Sequence, residues 1–125
     1  MALFLLADDE VQVEQLIRFK LIKEGHSLDY AKNGEEALKK IADTSKKYDI
    51  IILDIMMPVY DGLYALKKIR EIEAYKKTPI IMLTAKGNEN DVIQGYDLGA
   101  NEYITKPFSP SEFYARIKKY LVNNT

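Results

Sequence analysis

The feature that most constrains how this chain can fold is a strict alternation of short apolar runs with longer segments of helical period. Residues 3–7 are apolar throughout and of strand length. Over residues 11–24, Val13, Leu16, Ile17 and Leu21 recur at helical spacing, and Gly25 is placed to end that helix. Residues 27–31, SLDYA, alternate polar and apolar as a half-buried strand does. Asn33 with Glu36 three positions on has capping-box spacing, and Ala37, Leu38 and Ile41 continue a second helix. Residues 49–53 predict a third strand, apolar from Ile50 onward. A helix from about residue 62 carries Leu63, Leu66 and Ile69. Residues 79–83 predict a fourth strand, with Pro79 tolerable at its start. Residues 88–98 form a less regular helix closed by Gly99, and residues 103–104 a short last strand. Ser109-Pro110-Ser111-Glu112 supplies an N-cap, a proline at the first helical position and a glutamate at the third; Phe113, Ile117 and Leu121 make the last stripe.

Alternation of this kind predicts an α/β fold, a parallel sheet with helices on both faces. The first, third and fourth strands are apolar nearly throughout, as central parallel strands must be; the second and fifth are short or mixed, as edges are. The expected architecture is a doubly wound, five-stranded, flavodoxin-like sheet in the order 2-1-3-4-5. With 125 residues and no linker or low-complexity tract, residues 1–125 read as a single domain.

Composition removes whole classes of function. Without cysteine there is no disulfide framework, thiol nucleophile or zinc–cysteine site. A formal charge of −1 gives no footprint for direct contact with nucleic acid or an anionic membrane. No apolar run reaches the roughly 18 residues needed to span a bilayer. The opening MALFLLA lacks a basic region and runs into Asp8, Asp9 and Glu10, unlike a signal peptide, so a cytoplasmic location is expected.

In open α/β sheets ligands bind beyond the carboxyl ends of the strands, near the switch in strand order. Asp8 and Asp9 follow the first strand, Asp54 ends the third, Thr84 the fourth, and Lys106 follows the fifth. Carboxylates so close repel by roughly 4 kcal/mol per pair at about 4 Å and an effective dielectric near 20. A protonated acid or a bound cation must offset that. Oxygen donors without His or Cys suit Mg²⁺ before Ca²⁺, and Mg²⁺ leaves coordination positions for phosphate oxygens. A carboxylate can accept a phosphoryl group. Asp54 is then the acceptor, Asp9 and Asp54 hold Mg²⁺, Lys106 adds positive charge, and Thr84 senses the phosphoryl oxygens.

These residues resemble the receiver domain of two-component response regulators over nearly the whole chain. The carriers are the acid pair after LFLLA, LDIMMPVYDG with Asp54, IIMLTA with Thr84, and GANEYITKPF with Tyr103 and Lys106. The resemblance implies Asp54 as phosphoacceptor, Asp8 and Asp9 as the acid pair, and the Met56 backbone carbonyl as a further Mg²⁺ ligand. It implies a coupled Thr84/Tyr103 switch, Lys106 as the phosphate-contacting lysine, and a cis Lys106–Pro107 bond. A histidine kinase or histidine phosphotransfer protein would be the donor. An output domain or separate target would be the receiver of the signal. The only catalysis implied is the domain's own Mg²⁺-dependent phosphotransfer and autodephosphorylation, so it is not expected to be an enzyme otherwise.

Val59 and Tyr60 stand where many relatives carry a glycine or another small residue, and Tyr60 is expected to cover part of the site. The tail resembles OmpR-type receivers, in which Glu102, Glu112 and Arg116 would match residues of a homodimer through the fourth helix, fifth strand and fifth helix; Val92 stands near where a basic residue is expected. Met56 and Lys86 are the positions expected to set phosphate lifetime.

Three other readings are weaker. An aspartate-nucleophile phosphatase would need an acid at Met56, and a flavodoxin-like nucleotide binder a Gly/Ser-rich loop where Asp8-Asp9-Glu10 stands. A receiver-shaped module that is never phosphorylated has no use for the full acid set. His26, the only histidine, reads as a solvated turn residue.

Overall fold

A computed structural model of the chain describes residues 1–85 and 89–122. Five strands, β1 (Leu3–Ala7), β2 (Ser27–Ala31), β3 (Ile50–Asp54), β4 (Ile80–Ala85) and β5 (Glu102–Lys106), alternate with α1 (Val11–Lys23), α2 (Gly34–Ala42), α3 (Gly62–Arg70), α4 (Glu89–Leu98) and α5 (Pro110–Val122). The strands form one parallel sheet in the order β2-β1-β3-β4-β5, with the predicted pair at the edges. Among the described residues no helix is long and apolar enough to cross a membrane.

The pleat sorts the core into two layers, because successive side chains of a strand point to opposite faces. Leu5, Ala7, Ile51, Leu53 and Met82 pack with Ala37 and Ile41 of α2 and Ala65, Leu66 and Ile69 of α3. Their neighbours Phe4, Leu6, Ile50, Ile52, Ile81 and Leu83 pack with Ile17 and Leu21 of α1 and Phe113 and Ile117 of α5. Each of the larger side chains, the Leu, Ile, Phe and Met, contributes about 1.5–3 kcal/mol of transfer free energy when fully buried. An all-apolar strand is what a two-layer burial demands.

Local signals operate largely as read. The Asn33 side chain accepts from the Glu36 N–H at 2.8 Å, while the Glu36 carboxylate takes the Lys32 N–H at 3.0 Å. Ser109 and Glu112 close a reciprocal box at 3.1 and 3.2 Å. α1 ends with the Gly25 N–H on the Ile22 carbonyl and the His26 N–H on the Leu21 carbonyl, the paired bonds of a Schellman turn. The Lys106–Pro107 bond is cis.

Two features depart from the expected pattern. β3, β4 and β5 run further than the apolar patterns suggest, through Asp54, Thr84 and Lys106, because the parallel ladder pairs backbone groups whatever the side chains are. A 3-10 turn over Glu73–Tyr75 had no periodic signal. The expected first residue of α4, Asn88, and Lys86 both lie outside the described residues.

The reading of His26 is corrected. The ring is half-buried: its Nδ1 accepts from the Ala2 N–H at 3.0 Å, and its Nε2 lies 3.0 Å from the Tyr114 hydroxyl. Phe4 meets it edge-on at 5.4 Å. The neutral ring with its proton on Nε2 satisfies both bonds, and burial pushes the pKa below the ordinary 6.5. A base with a lowered folded pKa contributes stability that is complete above the unfolded value and lost as pH falls through the folded one. Wild type therefore loses urea resistance as pH falls below the ordinary 6.5 more steeply than His26→Asn. Parallel curves for the two proteins would refute this.

Candidate functional site

Parallel strands all end at the same edge of the sheet, and this gathers residues distant in sequence. Asp8 follows β1, Asp54 is the last residue of β3, Thr84 is the residue before the last of β4, and Lys106 ends β5. Asp8 is 0% exposed and Asp54 5%. The Lys106 ammonium sits among three acids, 2.9 Å from Asp8 Oδ2, 2.7 Å from Glu10 Oε1 and 3.3 Å from Asp54 Oδ2.

The loop 55–62 holds Asp54 in place. Gly62 donates to the Ile55 carbonyl at 2.9 Å. A Cβ at 62 would stand 2.2 Å from the Asp54 carbonyl oxygen, so only glycine admits this closure. The Met56 N–H donates weakly to Asp54 Oδ1, at 3.4 Å. On the other side, Asp8 Oδ1 accepts the Glu10 N–H at 2.8 Å and the Tyr30 hydroxyl donates to the Asp8 carbonyl at 2.6 Å. These bonds fix both carboxylates before any ligand arrives.

The electrostatics follow from burial. Asp54 is pushed up from 3.8 to about 6, first by desolvation and then by the Asp8 charge, with Lys106 pulling it back. Asp8 is also raised, chiefly by burial. Lys106 is raised by Glu10, Asp8 and Asp54, against its own desolvation, and stays an ammonium. At neutral pH, Asp54 is mostly ionised yet more basic than a solvated aspartate, which suits a nucleophile.

Asp8, Glu10 and Asp54 each offer a carboxylate oxygen within 4.8 Å of the others. Asp8 Oδ2 is buried with no hydrogen bond in proper geometry, although the ammonium is near. An all-oxygen set with one unsatisfied buried carboxylate oxygen fits a hard divalent cation. Asp9 is exposed and outside this trio, while Glu10 is inside it. The signal for Glu10 was present, as the third acid of the run Asp8-Asp9-Glu10, but a first-turn glutamate is ordinary in a helix.

Thr84 is buried, and its hydroxyl donates to the Ala85 carbonyl at 3.2 Å. Tyr103 is 9% exposed, its hydroxyl donating to the Asp91 carbonyl at 3.2 Å and its ring edge-on to Tyr96 at 4.9 Å. The structure thus combines an inward tyrosine with a threonine hydroxyl bonded to its own strand end. The Met56 side chain is 65% exposed. Val59 and Tyr60 adopt φ of 54° and 60°, the left-handed region, at a cost of about 1–2 kcal/mol each. The Tyr60 ring lies against Tyr64 at 4.8 Å.

Known proteins resemble this chain in sequence and in fold. Residues 4–118 match the family model described as response regulator receiver domain. The chain is 46% identical over 117 residues to the transcriptional regulatory protein ResD of Bacillus subtilis, across 94% of this chain and 47% of that protein. It is 45% identical over 117 residues to the alkaline phosphatase synthesis transcriptional regulatory protein PhoP of the same organism. The chain spans about half the length of these curated relatives. Among solved structures, a response regulator from Chloroflexus aurantiacus superposes with a TM-score of 0.89 at 36% identity, over 97% of this chain and 98% of that one. The chemotaxis response regulator CheY4 of Vibrio cholerae also superposes with a TM-score of 0.89, at 32% identity over 96% and 98% of the two chains.

Proposed function

This chain belongs to the family of response regulator receiver domains, and from that premise we propose that Asp54 is the residue phosphorylated. The observation that carries the assignment is a buried carboxylate at the end of a central strand, 3.3 Å from the Lys106 ammonium and beside a second buried acid. An Asp54 oxygen attacks the phosphorus of a phosphohistidine on a histidine kinase or phosphotransfer protein. The phosphorus–nitrogen bond breaks, the imidazole leaves, and an acyl phosphate remains on Asp54. Asp8, Asp9, Asp54 and the Met56 carbonyl, with Glu10 at the rim, would hold Mg²⁺, which supplies charge neutralisation at the phosphoryl oxygens.

Lys106 holds Asp8 and Asp54 together in the resting domain and turns to the phosphoryl group when it arrives. The added charge of about −1.5 to −2 draws the Thr84 hydroxyl from the Ala85 carbonyl to a phosphoryl oxygen. Thr84 and Tyr103 lie on adjacent strands, in the registers Thr84↔Thr105 and Met82↔Tyr103, so the shift reaches β5 and α4. The signal passes from that face to an output domain or a separate target, and a homodimer through α4, β5 and α5 is one form the output takes. In the resting fold Glu102 is held by Lys119 at 2.8 Å, so that dimer must compete with an internal ion pair.

Incubation with acetyl phosphate and Mg²⁺ tests the reading. Intact-protein mass should show one acid-labile phosphoryl group, absent when EDTA replaces Mg²⁺; no adduct under either condition refutes it. Thr84→Ala should take up the group as wild type does, while the phosphorylation-induced amide shifts at Tyr103 and Ile104 shrink at least about twofold, since a coupling of even 1 kcal/mol shifts a two-state equilibrium fivefold. Undiminished shifts would remove Thr84 from the switch.

A further inference from the structure

The inward Tyr103 raises a question that the strand ends do not answer: what makes room for it. Its hydroxyl reaches across to α4 and lies over Gly95, a buried mid-helix glycine. A Cβ built at 95 would stand 1.5 Å from the Tyr103 hydroxyl oxygen and 2.8 Å from its Cζ, with Leu63 of α3 at 3.4 Å on the other side. The first two require the Tyr103 phenol, the far end of its side chain, to move away, while the Leu63 contact is an ordinary one. Glycine in a helix interior weakens the helix relative to alanine, so its presence here calls for a local cause. The space is a notch one hydroxyl wide, and the Asp91 carbonyl that accepts from Tyr103 lies one turn back along the same helix.

The Thr84 hydroxyl is still on the Ala85 carbonyl in this same structure. Burial of the ring therefore does not wait for Thr84 to move. We propose that Gly95 is the positioning residue of the switch: the missing side chain on α4 is what admits Tyr103, and any larger residue there holds the ring outward. This deepens the phosphorylation reading by assigning a helix residue that decides which tyrosine state the signalling face presents. The notch itself stands on packing alone.

The burial of the ring also pushes the Tyr103 hydroxyl up to about 12, and Tyr96 and Asp91 add to that. An outward ring would lose this shift, giving a second signature of the same displacement.

The test uses tyrosine-labelled protein of wild type, Gly95→Ala, Tyr103→Ala and Gly95→Ala/Tyr103→Ala. In wild type, the Tyr96 and Tyr103 rings, 4.9 Å apart by centroid, should show a ring-to-ring NOE. Gly95→Ala should lose that NOE and move the Tyr103 hydroxyl titration toward the ordinary value of 10. In the Tyr103→Ala background, Gly95→Ala should raise the urea midpoint, as alanine for glycine does in a free helix. In the Tyr103 background the rise should be smaller or reversed. An unchanged NOE in Gly95→Ala, or the same midpoint shift in both backgrounds, overturns the proposal. Acetyl phosphate uptake by Gly95→Ala should equal that of wild type. Failure of wild type itself to take up phosphate would sink the function reading and leave the notch untouched, so the two fail separately.

Discussion

Asp54→Asn should take up no acid-labile phosphoryl group from acetyl phosphate and Mg²⁺, a loss of at least ~10³-fold, the scale on which enzymes lose rate when a nucleophile is removed. An amide of the same shape keeps the packing at the end of β3 and can still accept the Met56 N–H, but it has no charge to attack phosphorus. The variant also carries its own control for folding. The raised pKa of Asp54, about 6 against 3.8, means that its ionised form is disfavoured by the fold. A carboxyl raised in this way contributes stability that is complete below 3.8 and lost as pH rises through about 6. At neutral pH without metal the wild type bears that cost and Asp54→Asn does not. Each pKa unit is about 1.4 kcal/mol, and the value of about 6 already includes the attraction to Lys106. Asp54→Asn should therefore be at least as stable as wild type at pH 7 and lose this advantage toward pH 4. An undiminished phosphoryl adduct in the variant would transfer the acceptor role to another acid. A variant that fails to fold would show instead that the carboxylate is a structural necessity.

Arg70→Ala should unfold more easily than wild type, by about 1.5–3 kcal/mol, a sizeable part of the 5–15 kcal/mol a small domain has. The Arg70 guanidinium meets no carboxylate within the described structure. Its Nε and Nη2 donate to the Gly99 carbonyl at 3.0 and 2.8 Å, and its Nη1 to the carbonyls of Tyr75 and Thr78 at 2.7 Å each. Nη2 also reaches Asn101 Oδ1 at 2.7 Å, and that same oxygen accepts the Ile80 N–H at 2.9 Å. One side chain thus ties the end of α3 to the 3-10 turn, the start of β4 and the α4–β5 turn. Burial lowers its pKa, but a guanidinium stays charged throughout. Truncation leaves several part-buried carbonyls to find water, which returns some of the energy but not the geometry. Arg70→Lys should recover less than half, because an ammonium has three donors and no planar fork. A urea denaturation showing Arg70→Ala within about 1 kcal/mol of wild type would make the network ornamental.

How much of this was legible beforehand depends on the range of the interaction. Helix stripes, caps and strand runs are local, so the order of elements, the edge position of β2 and β5 and the two-faced burial of β3 could be read from Ile50 to Leu53 and their counterparts. Asp54, Thr84 and Lys106 were legible because parallel strands must all end at one edge. Glu10 was visible only as a helix-start acid; its place 2.7 Å from Lys106 depends on β1 and β5 lying on opposite sides of β3. Arg70 drew no reading from the sequence and His26 read as a turn residue, since Gly99 and Tyr114, which they bond, lie 29 and 88 positions away.

The amino-acid order by itself determined which segments become strands and helices, which face each buries, and which reactive side chains stand at the strand ends. Periodicity and capping act over a few residues and need no knowledge of the rest of the chain. Only the tertiary structure decided that Lys106 bridges three acids, that Asp54 is raised by burial beside Asp8, that Arg70 holds three chain turns together and that Tyr103 enters at Gly95. Those are matters of distance and desolvation between segments, and desolvation exists only once the layers have closed.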